Sequence, residues 1–81
     1  MGTNPEYLSK LMKTTKAVMI AGDRVKEQYG ELDKYMWVAR VVQELSYQLL
    51  YPDEEAYGRF GIDNEDIINA QAYAVLEYLE D

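Results

Sequence analysis

Apolar and small residues recur at Leu8, Leu11, Thr15, Val18, Gly22, Val25 and Tyr29, in alternating steps of three and four. This spacing places them on one helical stripe, widened by Met12 and Met19, and predicts a first helix over residues 5–29. Its ends are punctuated. Asn4 is a good N-cap, and Pro5 stands at the first helical position, where its missing N–H costs nothing. Gly30 suits the position just past the C-terminus, and Gly22-Asp23 is the soft point within the helix.

A second stripe, Tyr35, Val38, Val42, Leu45 and Leu49 with Val41 and Leu50 beside it, predicts a helix over 33–50. Arg40, Gln43, Glu44 and Gln48 are expected on its wet face. Asp33 caps it, Leu32 and Trp37 have staple spacing, and Pro52 stops it by pushing Tyr51 out of the α region. Residues 51–63 read as a connector with room for one helical turn. A third helix is expected over 64–79, capped by Asp63 and stapled by Ile62 against Ile67. No two-residue alternation persists, so strands are not expected.

The third helix differs from the other two. Ile67, Ile68, Ala70, Ala72, Ala74, Val75 and Leu76 cover nearly its whole circumference. A helix apolar all round is normally buried all round, and two other helices cannot surround it. A homodimer is therefore expected, with Ile67, Ala70, Ala74 and Tyr78 as its self-interface. The fold class is all-α: a single domain over residues 1–81, a small bundle of three helices with a long first one, or four if the connector folds. Leu8, Leu11, Val18, Val25, Trp37, Val38, Val42, Leu45, Ile68 and Val75 are the expected core.

Composition narrows the chemistry. At 48% apolar residues the 81-residue chain can build a core, and no apolar run reaches membrane-spanning length. No charged stretch followed by an apolar one opens it, so a secretion leader is not expected. Cysteine and histidine are absent. Disulfides, thiolate nucleophiles, Ser-His triads and zinc sites are thereby excluded, and a small domain without disulfides fits a cytoplasmic location. No enzyme activity, cofactor or metal is expected.

Charge is the strongest functional signal. Residues 53–81 hold nine carboxylates and one cation, Arg59, whereas the first thirty residues carry five cations against three acids. The net charge is −7. Lysines at 10, 13, 16 and 26 are too few and too dispersed on such a chain for direct nucleic-acid binding. Acids at 53–55 and 63–66 suit helix starts, but Glu77, Glu80 and Asp81 lie at a helix C-terminus, where the dipole disfavours them. A basic protein partner is the reading that uses them, and an inhibitor that imitates nucleic acid is its sharper form. Partner contacts are expected at Asp53, Glu54, Glu55, Glu77, Glu80 and Asp81, with Tyr57, Arg59 and Phe60 as an exposed hot spot.

Two other readings compete. One is a structural, homo-oligomeric assembly or connector subunit that uses its helical seams for self-contact. The other is a calcium-responsive module, because Asp53, Glu55, Tyr57, Gly58, Arg59 and Asn64 fall at calcium-loop positions. Tyr57 and Asn64 occupy two positions that call for carboxylates. Pro52-Asp53-Glu54-Glu55-Ala56 resembles part of the acyl carrier proteins, but no Asp-Ser-Leu motif is present to carry a phosphopantetheine arm.

Overall fold

Three helices form in the computed structural model, which describes residues 4–80: α1 (Pro5–Tyr29), α2 (Lys34–Leu50) and α3 (Asn64–Leu79). A single 3-10 turn, Gly58–Phe60, interrupts the connector. No strand occurs among the described residues. The fold is the all-α three-helix bundle that the periodicity predicts, and among the described residues no helix is long and apolar enough to cross a membrane.

The caps act as their residue types require. The Asn4 side chain accepts from the Glu6 N–H at 2.9 Å, and Asp33 Oδ1 accepts from the Met36 N–H at 2.9 Å. Asp63 and Asp66 form a reciprocal capping box: Asp63 Oδ1 accepts from the Asp66 N–H, and Asp66 Oδ2 from the Asp63 N–H. Gly30 turns the chain at φ 76° while its N–H closes α1 on the Lys26 carbonyl at 2.8 Å.

α1 runs unbroken through Gly22, and the reason lies on its neighbour. A Cβ at Gly22 would stand 2.9 Å from Cζ2 of Trp37, so the glycine lets the indole lie directly on the α1 backbone. The ring of Tyr78, near the end of α3, packs on Trp37 at 4.7 Å between centroids. Trp37 thus joins all three helices at one end of the bundle.

The core differs from the expected one in a systematic way. Val18, Val25, Val38 and Leu45 are buried and Trp37 and Val42 half-buried, but Leu8, Leu11, Ile68 and Val75 are exposed. In their place α1 buries Thr14, Ala17 and Ala21, and α3 buries Ile67, Ala70 and Ala74. The stripes are rotated toward the alanines. Small side chains let helix axes approach, and that approach leaves the bulkier neighbouring stripe outside. The molecule measures 41 × 33 × 17 Å, and the long dimension matches the length of about 37 Å expected for α1. A body only 17 Å thick offers most helices a single neighbour-facing side, so many large apolar groups stay at the surface.

Two further corrections follow from burial. Ile67, Ala70 and Ala74, expected to contact a second copy, are covered by the chain's own helices. Gln48, expected on the wet face of α2, is buried, and Glu44 is half-buried.

Candidate functional site

Five side chains drawn from α1, α2 and the connector meet in one polar cluster. Arg24 on α1 donates to Glu44 of α2 at 2.9 Å and makes a short bond to Asp53 of the connector. Gln48 donates to the same Glu44 oxygen at 3.0 Å and accepts from the Asp53 N–H at 2.9 Å. The other Asp53 oxygen accepts from the Glu55 and Ala56 N–H groups, as a turn-opening aspartate does. Tyr57, only 3% exposed, completes the set: its hydroxyl donates to Glu44 at 3.4 Å, and the Arg24 guanidinium lies 5.4 Å from its ring centre.

The cluster fixes the connector and leaves little of itself for chemistry. The Arg24 guanidinium, helped by the Ala56 N–H, holds the Asp53 carboxyl below the ordinary 3.8. Burial, reinforced by Glu44, pushes the Tyr57 phenol up and keeps it protonated. Asp53 therefore faces inward toward an arginine and not outward toward a calcium ion. Among the described residues no three acidic groups are placed to hold a metal.

A second cluster sits at the start of α3. Lys10 of α1 reaches Glu65 at 2.9 Å, Asp66 at 3.3 Å and Asp63 at 3.6 Å. Asp66 is 0% exposed, and its two oxygens are divided between Lys10 and the Asp63 N–H. Asp63 is held below the ordinary 3.8 by the Asp66 N–H, with Lys10 assisting, and Lys10 is pushed up chiefly by its bond to Glu65. The charge asymmetry along the sequence is thus partly an internal device: cations of the first helix neutralise carboxylates of the C-terminal half.

Both depressed aspartates set an acid limit on stability. A carboxyl whose folded value is lowered contributes stability above its unfolded value, and loses it as pH falls through the folded one. With no histidine to titrate, the melting temperature should hold steady near neutrality and fall below about pH 4. Thermal melts across pH should show a shallower acid fall in Asp53→Asn than in the parent; equal slopes would mean that the Arg24 pair adds nothing.

The expected partner residues separate in space. Glu54, Glu55, Glu77 and Glu80 are exposed. Glu54 lies beside Asp63, Asn64 and Glu65 at the start of α3, and Glu77 is about 20 Å further along that helix by its rise. They form two acidic ends and not one surface. Tyr57 is corrected from exposed hot spot to core residue. Arg59 and Phe60 remain outside, with Arg59 at 5.0 Å and Lys16 at 4.5 Å from the centre of the Phe60 ring. Tyr78 is exposed where its ring packs, tilted, against Trp37, and Asp81 lies outside the described residues.

What remains bare is apolar. On α3, Ile68 is 55% and Leu76 56% exposed, and Val75 and Ala72 complete a stripe at one-turn spacing on the side away from Ile67, Ala70 and Ala74. Ala72, Val75 and Leu76 border a shallow groove with Val42 of α2, where Gln71 donates to the Val42 carbonyl and to Ser46 Oγ. Sequence reading took α3 as uniformly apolar and missed that it carries two distinct faces. The alanines in the buried one were the available signal. Comparison of the chain with protein-family models, with curated proteins and with solved structures finds no significant match.

Proposed function

We propose that this chain is a non-enzymatic protein-interaction protein that pairs with a second copy of itself through the outer face of α3. One observation carries the reading: α3 remains apolar on its outer side after its inner side has been fully buried by its own chain. A contiguous apolar strip on a small folded protein usually marks a contact surface. The strip has helical spacing and continues onto Val42 of α2, which suits a self-complementary helix pair.

The four exposed carboxylates then face a basic partner at two separate ends of α3, Glu54 with Glu55 and Glu77 with Glu80. Four other carboxylates are already answered by Lys10 and Arg24. That geometry favours a local docking contact over a continuous charged sheet of the kind a nucleic-acid mimic presents.

Light scattering on an eluting column tests the proposal. A dimer is expected at low and at high salt, because apolar contacts are insensitive to screening. Leu76→Asp combined with Ile68→Asp should yield a monomer with an unchanged helical spectrum, since both side chains are more than half exposed. A wild-type monomer at both salt levels would overturn the self-pairing.

A further inference from the structure

A second apolar surface lies far from the α3 strip in chemistry as well as in sequence. The first three turns of α1 and the 3-10 turn enclose an open groove of about 640 Å³ lined by Pro5, Leu8, Met12 and Phe60. Met12 is 69% exposed, and Leu8 and Phe60 are also open to solvent. Pro5, Leu8 and Met12 follow one another in steps of three and four, so they line one face of α1.

The rim of this groove is basic on a protein that is otherwise acidic. Lys13 and Lys16 line it, and the Arg59 guanidinium lies 5.0 Å from the centre of the Phe60 ring. Lys10 and Arg24 make ion pairs with the chain's own carboxylates, but Lys13, Lys16 and Arg59 make none among the described residues. Three cations without carboxylate partners therefore gather around apolar side chains, although the net charge is −7.

We infer that this groove receives an acidic amphipathic helix of a partner protein. The apolar spacing on α1 matches side chains one turn apart on an incoming helix, and the groove spans about 16 Å, or three turns. Carboxylates flanking those apolar groups would meet Lys13, Lys16 and Arg59. The described residues that line the groove include Lys13 and Lys16 and no carboxylate, so its local charge, and not the net charge of the chain, selects the partner. Phe60 supplies a large flat contact whose ring lies within 5.0 Å of two cations, which suits an anchor. The inference concerns a surface separate from the α3 strip and does not rest on dimer formation.

The test uses the full chain and a labelled synthetic helical peptide with leucines at one-turn spacing and glutamates on both flanks. A second peptide carries lysine at every glutamate. Fluorescence anisotropy at physiological salt should show saturable binding of the acidic peptide and none of the basic one. Met12→Asp should weaken binding about tenfold or more, as loss of a contact in the centre of an interface does. Lys13→Glu with Lys16→Glu should do the same and gives an independent arm should Met12→Asp fail to fold. Leu76→Asp, which targets the other surface, should leave peptide binding unchanged. No binding of the acidic peptide, equal binding of both peptides, or wild-type binding by the groove variants would overturn the inference. Self-association that Met12→Asp abolishes would also overturn it, by assigning the groove to a second copy.

Discussion

Asp66→Ala should lower the stability of this protein by about 2–3 kcal/mol, an order-of-magnitude figure for a buried carboxylate whose hydrogen bonds to the Asp63 N–H and to Lys10 are lost together. For a domain of this size that corresponds to a fall of about 10–20 °C in Tm. Asp66 is the only fully buried charged side chain among the described residues, and it acts in two directions at once. One oxygen closes the capping box on the Asp63 N–H, and the other takes Lys10 from α1. Removing it frays the start of α3 and detaches that helix from α1. Glu65→Ala gives the contrast. Glu65 makes the shorter contact to Lys10, at 2.9 Å, yet it is exposed, and exposed ion pairs contribute little. Its loss should scarcely move the thermal midpoint. Asp66→Asn keeps an acceptor for the Asp63 N–H but loses the charge opposite Lys10, and should fall between. Thermal melts followed by circular dichroism rank the three. Equal effects of Asp66→Ala and Glu65→Ala would show that burial does not distinguish the two carboxylates.

Trp37→Ala should destabilise by about 3 kcal/mol, at the low end for tryptophan truncation because the ring is half-buried. The indole lies between the Gly22 backbone and the Tyr78 ring, so its removal opens the end of the bundle where all three helices meet. Gly22→Ala supplies the sharper test. Alanine in place of a mid-helix glycine normally adds up to about 1 kcal/mol of stability. Here the added Cβ would sit 2.9 Å from Cζ2, and overpacking of that kind costs about 1–3 kcal/mol. The single variant should be destabilised by about 1 kcal/mol. In the Trp37→Ala background the clash is gone, and the same substitution should become stabilising. A change of sign across this double-mutant cycle would establish the contact energetically. A stabilising Gly22→Ala in the wild-type background would remove it.

The exposed apolar surfaces arise from the same helix packing that Asp66 and Trp37 hold in place. α1 and α3 turn their alanine faces inward, against Val38, Val41 and Leu45 of α2, and larger apolar side chains of their adjacent stripes lie outside. The α3 strip and the α1 groove are two products of that choice. They differ in charge, one ending in glutamates and the other rimmed by lysines and an arginine.

Much of the fold is legible in the residues themselves, because its signals are local. Asn4, Asp33 and Asp63 cap their helices through bonds to residues two or three positions on, and Pro5, Gly30 and Pro52 act through their own backbone geometry. Helix number, helix limits and the absence of strands among the described residues follow from such short-range rules. The absence of cysteine and histidine likewise excludes whole classes of chemistry without any structure.

Which stripe of each helix faces inward was decided only in three dimensions. Periodicity placed Leu8, Leu11, Ile68 and Val75 inside because it weighs hydrophobicity, whereas packing selected Ala17, Ala21, Ala70 and Ala74 because small side chains let helices approach. The partners of the charges were equally hidden. Lys10 meets Asp66 across 56 positions, and Arg24 meets Asp53 across 29. No local rule pairs residues so far apart, so a polarity that in the sequence points outward toward a partner becomes, once the helices are packed, partly a bond within the chain itself.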